Sequence, residues 1–276
     1  MAVIRTNIAA QYAQDALAAN QKSMSSAMQQ LASGNRINTA RDDAAGLSIA
    51  QNMTSQIRGL NQAVRNATDG INLLQTADGG LVATSNMLQR MRELAIQSSN
   101  GSNSTSQRGY LNNEFKSLQD EITRVGNNTT WNNMNLYGSV AASPNVFIFQ
   151  AGTASGATIG VSIAAMNASA LLVDANVAVI STFTGAQAAI TSVDAALEIV
   201  NNARSSMGAA MAQLSYSADN MVNVSTNLAA SRSTIMDTDY AMATSQLSKA
   251  QIIQQSAMAM LAQANQQPKM VLDLLK

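Results

Sequence analysis

Apolar residues recur every seven positions along two long stretches of the chain. The first stripe consists of Met53, Leu60, Ala67, Leu74, Leu81, Leu88 and Ala95. The second stripe consists of Ala186, Val193, Val200, Met207, Leu214, Met221, Leu228 and Ile235. Because a heptad repeat keeps one apolar seam along a helix, both stretches predict long coiled-coil-like helices. A shorter helix between them is predicted by the 4, 3, 4, 3 spacing of Leu111, Phe115, Leu118, Ile122 and Val125.

Both ends of the chain carry similar stripes with smaller residues. The amino-terminal stripe consists of Val3, Ala10, Leu17, Met24 and Leu31. The carboxy-terminal stripe consists of Ala243, Ala250, Ala257 and Ala264, flanked by Leu247, Ile253, Met260 and Leu261. Alanine on a helix face allows a neighbouring backbone to approach closely. For any single stripe an ordinary core-facing helix is the alternative, but the four together favour a rod in which the two ends of the chain pair.

Only one part of the sequence reads as β-structure. The segments NVFIFQAG at 145–152 and ATIGVSIAAM at 157–166 are rich in β-branched and aromatic residues, and Thr-Ala-Ser-Gly between them is typical of a turn. The predicted fold is therefore mainly α: a long coiled-coil-like helical bundle with a small β-hairpin element and with its N- and C-terminal helices paired. The expected order is helix, helix, helix, hairpin, helix, helix.

Composition removes several classes of function. The 276 residues contain no cysteine and no histidine, so zinc–thiolate sites, disulfides and the usual neutral-pH acid–base group are absent. Lys+Arg 16 balances Asp+Glu 16, which gives no basic footprint for nucleic acid. Residues 125–173 carry no charge but are rich in Asn, Ser, Thr and Gly, which argues against a membrane span. Composition does not exclude an enzyme, but the side chains most often used for catalysis and metal binding are absent.

A polar island, RINTARDDAAGLSIA, follows the first stripe. Its charged residues are Arg36, Arg41, Asp42 and Asp43. The two aspartates could suggest a metal or acid–base pair, but adjacent residues do not share a helix face. The preferred interpretation is a connector between two rods, in which these residues form ion pairs within one chain or with a neighbouring subunit.

Long parts of the sequence resemble bacterial flagellins. The similar segments are IRTNIAA with ALAANQKSMSSAMQQLASGNRINTARDDAAGLSIA, MLQRMRELAIQSSNGSNS, TRVGNNTTWNNMNLYGS with FQAG, and ASRSTIMDTDYAMATSQLSKAQIIQQSAMAMLAQANQQPKMVLDLLK. The resemblance implies a secreted structural subunit of the extracellular flagellar filament, and we therefore predict a protein that is not an enzyme, has no cofactor and binds no metal. Only about twenty residues separate the hairpin from the return helix, so a minimal form without the variable outer domains is expected, with no room for an inserted catalytic domain.

The resemblance also implies an arrangement of segments. The expected segments are an inner-core helix at 1–44, outer-rod helices at 45–135, the hairpin region at 136–184, an outer-rod helix at 185–234 and a second inner-core helix at 235–276. Inner-core packing is assigned to Val3, Ala10, Leu17, Met24, Leu31, Ala243, Leu247, Ala250, Ala257, Leu261, Ala264, Leu272 and Leu275. The apolar tail at 270–276 would then line the inner wall of a tube.

Partners follow from the same resemblance. They are other copies of the chain, an export chaperone at the carboxy-terminal helix, the filament cap and the hook-junction proteins. Export by the flagellar type III apparatus fits the first twenty residues, which lack the pattern of a secretory signal. Arg90, Leu94 and Glu114 match positions that a host Toll-like receptor contacts in flagellins. The alternative function is the hook–filament junction protein, which shares flagellin-like ends.

Overall fold

The computed structural model describes residues 6–138, 144–175 and 177–273, the last seven by their backbone alone. Over these ranges the elements are α1 Ile8–Ser33, α2 Ala44–Ser98, α3 Thr105–Asn128, β1 Thr130–Trp131, β2 Met134–Asn135, β3 Asn145–Gln150, β4 Thr158–Ile163, α4 Phe183–Met236 and α5 Tyr240–Asp273. The mainly α fold and the predicted element order are confirmed. The small hairpin β1–β2, which no sequence pattern indicated, is an addition. None of the helices in these ranges is both long enough and apolar enough to cross a membrane.

The ends of the helices are set by local signals. The Asn7 side chain accepts a hydrogen bond of 3.1 Å from the Ala10 N–H and caps the start of α1. Gly34 ends α1 with φ 72°, and its N–H donates to the Gln30 carbonyl. At α3, Ser104 and Gln107 form a reciprocal capping box. These caps supply partners for groups that a helix end leaves unpaired.

The contacts divide the chain into two compact units. Unit 1 comprises Met1–Ile57 and Thr226–Lys276, and unit 2 comprises Arg58–Ser225. The division falls inside α2 and α4, whereas the segment boundaries expected from the sequence follow the breaks between helices.

Unit 2 is built on the two predicted heptad seams. Leu74, Leu81 and Leu88 of α2 are fully buried, as are Val193 and Val200 of α4. The α3 stripe is rotated from its predicted position, because the buried residues include the polar Arg108, Asn112 and Gln119 beside Phe115, Ile122 and Gly126. The predicted helix is confirmed, and Leu111, Leu118 and Val125 of its stripe are half-buried.

The chain between β4 and α4 explains two of the polar residues on that face, Asn112 and Gln119. The Gln119 side-chain amide donates to the Val173 carbonyl at 2.7 Å and to the Ala178 carbonyl at 2.9 Å. The Ile180 N–H donates to the Asn112 side-chain oxygen at 3.0 Å. A non-helical segment carries unpaired backbone groups, so amide side chains suit the helix face that this segment covers.

The hairpin pairs β3 with β4 from Asn145↔Ile163 to Gln150↔Thr158, in antiparallel register. Val161 and Ile163 are buried, whereas Val146 and Ile148 face solvent. A β-carbon at Gly70 of α2 would lie 2.9 Å from the Phe149 ring, so this close approach requires glycine. The hairpin is therefore held to unit 2 by one face.

Candidate assembly surface

The terminal helices α1 and α5 pack against each other in unit 1. The residues at the centre of their contact are mostly alanines, and Ala10, Ala27, Ala243, Ala250 and Ala264 are all buried. The larger residues predicted for this seam are half-buried along its edges, and they are Leu17, Met24, Leu31, Leu247 and Leu261. Ala257 is half-buried as well. Small side chains at the centre let the two backbones approach, which is the arrangement that the alanine stripes indicated.

Side-chain amides of α1 fix the register of the pair. The Asn20 side chain, itself buried, donates to the Ala250 carbonyl at 2.8 Å. The Asn7 side chain donates to the Ala264 carbonyl at 2.8 Å. Asn7 comes before Asn20 in the chain, but its partner Ala264 comes after Ala250. The two helices therefore run antiparallel. Neither asparagine was predicted, although a polar residue within an apolar seam is a known signal for register.

The outer faces of this helix pair are unusually apolar. Large apolar side chains that are exposed on α1 and α5 are Ile8, Tyr12, Met28, Tyr240, Met242, Ile252, Ile253, Met258 and Met260. A groove of about 420 Å³ runs beside the seam, and Met242 and Ile253 line it together with polar residues that include Ser245, Gln246 and Lys249. Extended apolar surface on a soluble chain marks a site that another protein covers.

The connector joins the ends of these helices by backbone pairing. The Arg36 N–H donates to the Met236 carbonyl at 2.6 Å, and the Thr238 N–H donates to the Gly34 carbonyl at 2.9 Å. Ile37, the next residue after Arg36, is buried. The side chain of Arg36 donates to the Ile235 carbonyl at 2.5 Å. These backbone hydrogen bonds therefore hold the segment that follows α1 against the segment between α4 and α5.

The predicted connector residues do not form ion pairs with one another within the described part of one chain. Asp42 instead accepts hydrogen bonds from the Thr39 N–H and hydroxyl and from the Asn38 N–H. The Thr39 N–H is the main reason that the pKa of the Asp42 carboxyl is lowered. Asp43 accepts from the Gly46 N–H at 2.8 Å at the start of α2. Arg41 is exposed, and an ion pair with a neighbouring subunit stays a prediction.

The predicted receptor residues lie in unit 2 and separate into two environments. Arg90 of α2 donates to Glu114 of α3 at 2.9 Å and to Glu93 at 2.9 Å. About half of the Arg90 and Glu114 side chains is exposed, at 49% and 47%. The pKa of the Arg90 guanidinium is raised, first by Glu93 and then by Glu114. Leu94 is 1% exposed and packs in the core, so its assignment as a direct contact is corrected.

Three of the predicted inner-core residues cannot be placed. Val3 and Leu275 lie outside the described residues, and so does the side chain of Leu272.

In the part of the chain that is described, no group of three or more acidic residues is arranged to hold a metal ion.

Two family profiles match the chain. The profile of the bacterial flagellin N-terminal helical region matches residues 4–141, and that of the bacterial flagellin C-terminal helical region matches residues 190–275. A flagellin of Halalkalibacterium halodurans is 41% identical over 274 residues, which cover 99% of this chain and 100% of the relative. The interval between the two profiles contains the β3–β4 hairpin and the segment that leads to α4.

Solved structures agree with this similarity. The crystal structure of a Bacillus cereus flagellin has a TM-score of 0.51 and 30% identity, and the match covers 61% of this chain and 94% of that one. A Vibrio parahaemolyticus protein described as a flagellar hook-associated protein has a TM-score of 0.59 at 17% identity, covering 71% of this chain and 100% of that one. The second likeness shows a shared fold alone.

Proposed function

The chain belongs to the bacterial flagellin family, and we propose that it polymerises through the exposed apolar faces of the α1–α5 pair. It is a structural subunit of the extracellular flagellar filament, in a short form without outer domains. The role is structural, and the proposal includes no catalytic activity. The matches over the full chain are to flagellins, and no contact described above favours a hook-junction role.

One observation carries the proposed assembly surface. The α1–α5 seam is closed by alanines, so the larger apolar residues of both helices remain outside it. Burial of one such side chain contributes about 1.5–3 kcal/mol, and side-chain ordering offsets part of this. Several of these residues covered at once would stabilise a polymer. The proposal therefore assigns the buried alanines to a seam within each subunit and the exposed large apolar residues to a face between subunits.

Substitution of Ile252 with glutamate should impair assembly without unfolding the monomer. Ile252 is 65% exposed in the chain, so the monomer loses little packing. In the filament a carboxylate would be buried without a partner, and we expect the critical concentration to rise at least about tenfold. Sedimentation of seeded polymer measures this. Ile252→Leu is the matched control and should assemble like the wild type; equal assembly of the Glu variant would contradict the proposal.

The remaining partners follow from the same surface. An export chaperone that covers α5 before assembly would bury the apolar face that the filament later buries. The filament cap and the hook-junction proteins would contact this surface at the two ends of the polymer. We place Leu272 and Leu275 in this surface on sequence grounds, together with Val3.

We also propose that a host Toll-like receptor contacts the ion-paired surface formed by Arg90, Glu93 and Glu114. These side chains are exposed on two adjacent helices, α2 and α3, and present both charges within one small area. Leu94 supports this surface from the core rather than contacting the receptor.

Replacing Arg90 and Glu114 together with alanine should weaken receptor activation by soluble monomer at least about thirtyfold, since loss of a buried charged contact costs about 2–5 kcal/mol. Reporter cells that express the receptor measure the half-maximal dose. Glu121→Ala with Arg124→Ala removes another exposed ion pair of α3 and is the control. If both double variants keep wild-type activity, the receptor does not use this surface.

A further inference from the structure

The methionines described in the chain fall into contrasting environments. Four on the α1–α5 pair are more than half exposed: Met28, Met242, Met258 and Met260. Four in unit 2 are fully or almost fully buried: Met91, Met166, Met207 and Met221. Susceptibility of a thioether to oxidation follows its accessibility, so the two sets should react at very different rates.

The exposed set includes two members of one helix face. Met242, Ile253 and Met260 of α5 are 11 and 7 residues apart, which brings all three to the same side of a helix with 3.6 residues per turn. Met242 and Ile253 also line the groove beside the α1–α5 seam. A small oxidant can therefore reach these sulfur atoms in the monomer from open solvent.

We propose that oxidation of the exposed Met28, Met242, Met258 and Met260 reversibly controls whether the subunit can assemble. The oxidant is a peroxide or hypohalous acid. With hydrogen peroxide, the thioether sulfur attacks one oxygen, an S–O bond forms and the O–O bond breaks. The sulfur loses two electrons, the peroxide is reduced, and the departing hydroxide takes up the proton to leave as water. Methionine sulfoxide reductases convert the sulfoxide back to methionine.

The effect of oxidation on assembly rests on the proposed function, in which the exposed apolar faces of α1 and α5 are buried between subunits. A sulfoxide is polar, so it loses the apolar contact that the methionine side chain would make with a neighbouring subunit. Loss of this apolar burial should raise the critical concentration roughly tenfold for each modified residue. Once the filament has formed, the same sulfur atoms should be shielded from oxidant.

The test compares monomer and filament after the same treatment with hydrogen peroxide. Peptide mass mapping locates the oxidised residues, and seeded sedimentation gives the critical concentration. A variant with all four residues changed to leucine removes the sulfur while keeping the volume close. Met134→Leu is the matched control, because Met134 is 48% exposed but lies on β2 in unit 2. A fourth sample receives a sulfoxide reductase after oxidation.

We expect oxidised wild type and oxidised Met134→Leu to assemble at least tenfold less well, the fourfold leucine variant to resist, and the reductase to restore assembly. Normal assembly of oxidised wild type overturns the inference, as does equal sensitivity of the fourfold variant. The reductase sample requires no substitution, so its failure to restore assembly is also decisive against it. If untreated wild type does not assemble, the proposed function fails instead.

Discussion

Replacing Ala250 with phenylalanine should separate the terminal helices and nearly abolish filament growth. Ala250 is 4% exposed at the centre of the α1–α5 seam, and its carbonyl accepts the hydrogen bond from Asn20. A ring at this position has no space between two closely packed backbones, so overpacking should cost about 3 kcal/mol or more. Because about 1.4 kcal/mol is a factor of ten, the critical concentration should rise about a hundredfold.

Two measurements separate this effect from general unfolding. Circular dichroism should show loss of helix, while the fluorescence of Trp131, which lies in unit 2, should be unchanged. Ala250→Ser keeps a small side chain and should assemble almost normally. Wild-type growth of the phenylalanine variant would mean that close packing of α1 on α5 is not required.

Replacing Phe115 with alanine should produce the largest loss of stability in unit 2. Phe115 is fully buried on α3, and removal of a buried phenylalanine side chain costs about 3–5 kcal/mol through lost burial and a residual cavity. For a unit of this size each kcal/mol lowers the melting temperature by about 2–4 °C. The melting curve followed by Trp131 fluorescence should therefore shift by about 6–20 °C.

Tyr110→Ala on the same helix is the control for this change. Tyr110 is 73% exposed, so its removal should alter the free energy of unfolding by no more than about 0.5 kcal/mol. If the two variants melt together, Phe115 does not belong to the core of unit 2.

The heptad seams could be predicted because their period alone determines which face of a helix is buried. Leu81 and Val200 lie at the positions that the repeat assigns to the seam, and both are fully buried. The pairing of the chain's two ends was predictable for a related reason, since an alanine stripe such as that of Ala243 and Ala250 suits only a closely packed neighbour.

The buried polar residues could not be predicted in the same way. Asn112 and Gln119 are buried because they bond backbone groups of Val173, Ala178 and Ile180, more than fifty residues further along the chain. That segment has no periodicity, so no pattern indicates which helix face it will cover.

The resemblance to flagellins predicted which residues a receptor contacts, but it did not predict how exposed each of them is in this chain. Leu94 matched a receptor-contacting position by type, yet it lies on the core side of α2, while Arg90 and Glu114 face solvent. The connector shows the same limit, because the charges of Asp42 and Asp43 suggested ion pairs. Their short side chains bond nearby N–H groups instead, as aspartate does at turns and helix starts.

A helical reconstruction of polymer grown from the purified chain is the most direct test of assembly through α1 and α5. We predict long filaments in which α1 and α5 of each subunit remain paired, with Ile252 and Met260 buried against neighbouring subunits. Filaments in which these two side chains stay exposed to solvent, or a closed ring that does not elongate, would contradict it.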